Sequence, residues 1–151
     1  LCLPKLLPQL KKILYLDGDV IVQSDLTELY NTDLGENYIA AVKDTLPIYH
    51  PQRVKSLGIN EKHWYFNTGV LLLNLEKLRQ INLVEDIKAY AQKHYHEIAL
   101  PDQDVLNYIC QGHTCYIHPR YNMNYAVEKD VAQSTWGKKE IFNFIDDTLF
   151  L

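Results

Sequence analysis

The chain has 151 residues, 47% of them apolar, enough for one domain that buries about 70% of its unfolded surface. Its formal charge is −4 with no basic stripe, which argues against nucleic acid as a partner, and no run of about eighteen apolar residues is present to form a transmembrane segment. Cys2, Cys110 and Cys115 show no CxxC spacing, so neither a disulfide framework nor a zinc site is indicated, and reduced thiols in a cytoplasmic protein fit best. In chain order, residues 4–10 allow a helical turn interrupted at Pro8, and the apolar run 13–16 predicts a buried strand with Asp17 at its C-terminal end. Residues 20–22 continue apolar, and Asp25 then reads as an N-cap with Glu28 at the capping-box position. Residues 33–37 are turn chemistry, 38–42 a strand ending near Asp44, and 45–64 a loop with a short helix around 52–57. Residues 70–75 predict a third strand, buried and entered through Asn67-Thr68-Gly69, followed by a helical turn over 76–79. Asn82 caps a helix with Glu85 completing the box, Asp102 caps another, and Gly112 stops it. Residues 115–117 are a short strand, and from Pro119 the pattern is irregular. Strands alternating with helices predict an α/β layered fold.

Three segments carry chemistry. Asp17 and Asp19 stand two apart at a strand end, where extended backbone would put both carboxylates on one side, able to share a hard divalent cation. Gly18 between them lets a ligand approach the backbone, although a solvated turn would use the same residues. Asn67, Thr68 and Gly69 put an amide and a glycine before an apolar strand, as a plain turn also would. Asp102, Gln103 and Asp104 open a helix, where acids suit the N-terminus, yet capping alone requires neither Gln103 nor Asp104. The eleven tyrosines suit either half-buried strand positions or the lining of a polar ligand site.

Taken together, these segments resemble the family 8 glycosyltransferases, the retaining group that includes glycogenin and bacterial lipopolysaccharide galactosyl- and glucosyltransferases. The resemblance rests on residues 12–22 (KILYLDGDVIV), 25–29 (DLTEL), 66–74 (FNTGVLLLN) and 102–107 (DQDVLN), in that order, with a weaker match at Arg120-Tyr121-Asn122. It implies a GT-A fold, a Rossmann-like α/β/α sandwich, with residues 1–151 forming a single partial GT-A domain. It implies a UDP-hexose donor (glucose or galactose) and a saccharide or glycolipid acceptor, in cell-surface polysaccharide or lipopolysaccharide synthesis. It implies Mn2+ or Mg2+ held by Asp17 and Asp19, donor contacts from Asp17, Gly18, Asp19, Asn67, Thr68, Gly69, Asp102 and Gln103, and catalytic roles for Asp102 and Gln103. Gln103 would lie near the sugar face opposite the leaving group. Because an amide is a poor nucleophile, front-face transfer is at least as well supported as double displacement.

The departures from the family pattern are specific. The N-terminal uridine-binding half is absent, and the late metal-ligand histidine near a Gly-Lys-Pro-Trp stretch has no match, since His94, His96, His113 and His118 do not fit it. No Met opens the chain and it stops on residues 144–151 (FIDDTLFL) with no polar tail, so it is expected to be part of a longer protein lacking both ends of the fold. Alone it would bind donor weakly without catalysing transfer, and its exposed sheet edge would favour self-association. A peripheral location at the inner face of the membrane would suit a glycolipid acceptor. Two alternatives stand beside this reading. One is a haloacid-dehalogenase-type phosphatase, whose nucleophile also lies in a DxD after an apolar strand and whose late acidic pair Asp146-Asp147 could imitate. The other is a sugar- or metal-binding fragment that does not turn over.

Overall fold

The computed structural model describes residues 2–122 and 134–136. Strands β1 (Lys12–Leu16), β2 (Ile39–Lys43), β3 (Phe66–Asn74) and β4 (Thr114–Tyr116) form one sheet in the order β1-β3-β2-β4. The sheet is mixed: β3 runs antiparallel to both its neighbours, and β4 runs parallel to β2. The central pair carries the apolar runs Ile39-Ala40-Ala41-Val42 and Val70-Leu71-Leu72-Leu73, all buried because both faces of the sheet are covered there.

Period-two alternation sorts these side chains between the two faces. Ile39, Ala41, Leu71 and Leu73, joined by Ile13, pack with Leu75 and Leu78 of helix α5 (Leu75–Leu78), Leu83 of α6 (Leu83–Lys93) and Leu106 of α7 (Pro101–Ile109). Leu3 of the short helix α1 (Leu3–Leu6) closes this layer. Ala40, Leu72 and Leu14 face the other way, against Leu34, Cys115 and Ile117. Val42 extends that side to Trp136, Ile117 and Tyr121. A third cluster, Val54, Leu57, Ile59 and Tyr65, seats α4 (Pro51–Ser56) beside Tyr108 of α7.

The strands form where their apolar runs predict them, but several local expectations are corrected. Strand β1 is a half-buried edge strand, because in the described sheet it pairs on one side only, with β3. Apolar residues 20–22 are outside any strand, with Ile21 82% exposed. The stretch 45–64 holds α3 (Leu46–Tyr49) as well as α4, both started by proline in the first turn, where the missing N–H costs nothing. Asp25 is not the N-cap of α2 (Thr27–Tyr30). That position belongs to Leu26, while the Asp25 carboxylate accepts the Thr27 N–H at 2.6 Å. Asn82 occupies the N-cap position of α6 without a side-chain cap bond, whereas Asn74 does cap α5, accepting from the Lys77 N–H at 3.1 Å. Gly112 adopts φ +81° in the turn after α7, a left-handed conformation that suits glycine. Burial pushes the Cys110 thiol up to about 12, so it stays a thiol and acts as a core side chain. No described helix is long and apolar enough to cross a membrane. Asp146 and Asp147 lie outside the described residues.

Candidate functional site

The site grows from an irregularity between the two central strands. Ala41 pairs with Leu71 and Lys43 with Phe66, so β2 advances two residues while β3 advances five. Asn67, Thr68 and Gly69 are therefore strand residues inside a bulge, not a turn preceding the strand. A bulge leaves backbone groups without ladder partners, and buried ones must find others. Side chains of α7 supply them. Asn107 accepts the Phe66 N–H at 2.7 Å and donates to the Phe66 carbonyl at 2.8 Å, imitating a neighbouring strand. Gln103 Oε1 accepts the Thr68 N–H at 3.1 Å and the Thr68 hydroxyl at 3.3 Å. The Asn67 Oδ1 accepts the Gly69 N–H at 2.8 Å and an N–H of the Asn122 amide at 2.7 Å.

The polar residues opening α7 thus divide the work. Asp104 is fully buried and takes the hydroxyl of Tyr65 at 2.5 Å, Arg53 Nη2 at 2.7 and 2.9 Å, and the N–H groups of Ala99 and Leu100 at 2.9 Å. It is Asp104, reaching back, that satisfies the start of the helix. Asp102, expected there as the cap, is not: the helix begins two residues earlier than that cap would set it, at Pro101, with Leu100 at the N-cap. Burial and the Asp104 charge drive the Tyr65 hydroxyl far above its ordinary value, so it stays protonated and donates. Asp102 is exposed and lines a cleft of about 110 Å³ with Tyr15, Thr68 and Leu106.

Strand β1 brings in the carboxylate pair. The Asp17 N–H donates to the Gly69 carbonyl at 2.9 Å, continuing the β1–β3 pairing by one residue. The chain then turns, with the Val20 N–H bonded to the Asp17 carbonyl at 3.2 Å. Asp17 therefore opens a tight turn whose two central residues are Gly18 and Asp19, and the extended same-side geometry expected from the spacing of Asp17 and Asp19 does not apply. The Tyr15 hydroxyl donates to Asp17 Oδ1 at 2.8 Å; that bond, with the nearby charges of Asp17 and Asp102, raises the phenol above its usual range. A side chain at Gly18 would meet nothing within 4 Å, so the turn has open space above it. Asp17 and Asp19 offer hard oxygen donors, and among the described residues no cluster of three or more His, Cys, Asp or Glu side chains forms. That donor set fits a Mg2+- or Mn2+-type ion, which binds through one or two carboxylates plus substrate phosphates.

The structure thus brings Asn67, Thr68, Gly69 and Gln103 into one hydrogen-bonded network and ties Asp17 to it through Gly69. Asp102 meets it across the cleft at Thr68. Two members were not expected from the sequence. Asp44 accepts from the amides of Asn67 and Gln103; the only signal was an acid at a strand end, as at Asp17. Asn122 lay in the weakest of the matching stretches. Gly69 is held close: a Cβ there would sit 3.1 Å from Asn67 Oδ1 and 3.3 Å from the Asn122 amide. Gly69→Ala is expected to push the Asn67 carboxamide out of place and cost about 1–3 kcal/mol. Chemical denaturation checks this, and a change under about 0.5 kcal/mol would mean that the bulge adapts.

Comparison with known proteins identifies the family and the fold. The family model described as glycosyl transferase family 8 matches residues 1–145. A putative glycosyltransferase of Haemophilus influenzae is 35% identical over 121 residues, covering 80% of this chain and 36% of that protein. The lipopolysaccharide 1,2-glucosyltransferase of Escherichia coli is 29% identical over 126 residues, covering 83% of this chain and 37% of that protein. Among solved structures, the galactosyltransferase LgtC in complex with donor and acceptor sugar analogs superposes with a TM-score of 0.76 at 29% identity, covering 89% of this chain and 51% of that one. The glycosyltransferase GlyE of Streptococcus pneumoniae gives a TM-score of 0.66 at 28% identity, covering 97% and 32%. The fold is a partial GT-A fold, and the chain spans about a third to a half of the length of these relatives.

Proposed function

Because the chain belongs to glycosyl transferase family 8, we propose that the intact protein transfers a hexose, glucose or galactose, from a UDP-sugar to a saccharide or glycolipid acceptor with retention of configuration. The observation that carries the reading is the direct bond from the Asp17 N–H to the Gly69 carbonyl, which joins the carboxylate turn to the amide-lined bulge. A diphosphate and the sugar it carries need these two surfaces side by side: anion-handling carboxylates with a cation, and neutral donors and acceptors for hydroxyls.

In this reading Asp17 and Asp19 hold Mn2+ or Mg2+ together with diphosphate oxygens. When bound, the ion supplies Lewis-acid stabilisation of charge on the departing UDP. The Tyr15 hydroxyl orients the Asp17 carboxylate. Asn67 and Gln103 present amide N–H groups to sugar oxygens, and Asp102, exposed in the cleft beside Thr68, accepts from a sugar hydroxyl. Gly69 lets the Asn67 and Asn122 amides lie close to the strand backbone. Gln103 gives most of its carbonyl oxygen to Thr68, which leaves its N–H side for the substrate and favours a binding and electrostatic role over attack on the anomeric carbon. That arrangement suits front-face transfer.

Similarity to a lipopolysaccharide 1,2-glucosyltransferase supports an acceptor among cell-surface glycans, and a glycolipid acceptor of that kind would be met at the inner face of the membrane. For residues 1–151 alone, self-association through the outer edges of β1 and β4, which lack strand partners among the described residues, belongs to the same proposal. Family membership removes the support for the phosphatase alternative. The test is UDP release from UDP-glucose and UDP-galactose, measured beside p-nitrophenyl phosphate hydrolysis. UDP release that requires added Mn2+ and stops with excess EDTA is the expected result. Phosphatase activity with no UDP release from any UDP-sugar would overturn the proposal.

A further inference from the structure

We propose that Asp44 is a positioning residue that sets which way the amides of Asn67 and Gln103 face. This rests on the reading of the bulge as a donor-sugar site. Asp44 follows β2 directly and is held from every side. Its N–H donates to the Tyr65 carbonyl at 2.8 Å, its carbonyl accepts from the Trp64 indole at 2.7 Å, and its Oδ1 accepts from the Leu46 N–H at 2.7 Å. The Trp136 indole holds the preceding carbonyl, that of Lys43, at 2.9 Å. What remains is Oδ2, which accepts from Asn67 Nδ2 at 3.0 Å and Gln103 Nε2 at 3.3 Å.

The chemistry of the groups fixes the orientations without reference to how either amide is drawn. An ionised carboxylate only accepts, so each amide must turn its nitrogen towards Asp44. The opposite end of each amide faces N–H donors: the Gly69 backbone N–H and the Asn122 side-chain amide for Asn67, and the Thr68 backbone N–H for Gln103. Each amide is therefore specified twice, and flipping either one would set nitrogen against N–H and oxygen against carboxylate. Each nitrogen gives one N–H to Asp44 and keeps a second. With one N–H of each amide spent on Asp44 Oδ2, the two N–H groups that remain have set directions on the bulge tied to the Asp17 turn. They suit the hydroxyl oxygens of a hexose and select against a ligand group that can only donate.

Asn at position 44 would keep the shape but would bring an NH2 group into a cluster that already has two. At least one amide would turn over, and two sugar contacts would be mis-set. The variant to make is Asp44→Asn in the intact protein, with three readouts. First, the side-chain amide proton and nitrogen NMR signals of Asn67 and Gln103, assigned through Asn67→Asp and Gln103→Glu, should both move in Asp44→Asn without any ligand. Second, kcat/KM for the UDP-hexose should fall about thirty- to a hundredfold, as two ordinary hydrogen bonds lost would give. Third, the affinity for UDP with Mn2+, measured by calorimetry, should stay within about twofold, since UDP carries no hexose. Unmoved amide signals would overturn the proposal, and so would a loss of UDP affinity in step with the loss of transfer, which marks a general structural role. If the unsubstituted protein releases no UDP from any UDP-sugar, the functional reading fails, while the amide signals still decide the role of Asp44.

Discussion

Replacing Asp104 with alanine is expected to destabilise the intact protein by about 3 kcal/mol, lowering its thermal midpoint by roughly 6–12 °C. Asp104 is fully buried and anchors four groups: the Arg53 guanidinium, the Tyr65 hydroxyl and the N–H groups of Ala99 and Leu100. Truncation would leave each without its acceptor, and breaking a buried ion pair from one side strands the other charge. Arg53 can recover part of the loss, because its side chain is 23% exposed and can turn towards water. Tyr65 cannot, since it is wholly buried. The damage would reach the site through geometry. Asp104 ties the start of α7 to the segment before it, and the same turn carries Gln103 onto the Thr68 N–H. Differential scanning calorimetry or thermal circular dichroism reads the effect, and a shift below about 2 °C would show that Asp104 does not secure this corner.

Asp17→Asn is expected to do the reverse, leaving stability nearly unchanged and lowering UDP-sugar turnover by about a thousandfold. The Asp17 carboxylate accepts only the exposed Tyr15 hydroxyl among the described residues, a bond that an asparagine oxygen can also accept. The backbone contact to Gly69 does not depend on the side chain. Stability should therefore stay within about 0.5 kcal/mol, as for most surface substitutions. What disappears is the negative charge that would hold a divalent ion against the diphosphate. Losing several kcal/mol of charge stabilisation on the leaving group corresponds to a factor of about 10²–10⁴. Steady-state UDP release at saturating Mn2+ measures it, and calorimetry with Mn2+ and UDP should show weakened binding. Retention of more than a tenth of the activity would contradict the assignment of Asp17. The two variants separate cleanly: one acts on the melting temperature, the other on turnover.

Two acids two residues apart in a motif can have opposite duties, and the sequence does not say which. Asp102 and Asp104 look alike in the string Pro101-Asp102-Gln103-Asp104, yet one is exposed beside a cleft and the other buried under Arg53 and Tyr65. The difference follows from the 3.6-residue turn of α7, which places Gln103, Asp104 and Asn107 towards β3 and α4 and leaves Asp102 outside. The helix start shifted for the same reason: a cap can be supplied by a side chain from within the first turn, and local sequence does not choose between Asp102 and Asp104.

The sequence by itself determined the strands, because alternating and continuous apolar runs can be buried in only a few ways. It also determined the ordered set of motifs that identifies the family. Residues 39–42 and 70–73 needed no tertiary information to be read as core. Tertiary structure alone decided the bulge in β3, the tight turn at Asp17-Gly18-Asp19 and the places of Asp44 and Asn122. Each depends on contacts between residues far apart in the chain, such as Asn67 with Asp44, Gln103 with Asp44 and Asn122 with Asn67, separated by 23, 59 and 55 positions. Periodicity reports how a segment meets a hydrophobic layer, a property of neighbours three or four residues away. A polar site is assembled by pairing individual donors with individual acceptors across elements, and that pairing exists only once the sheet and its helix have closed on each other.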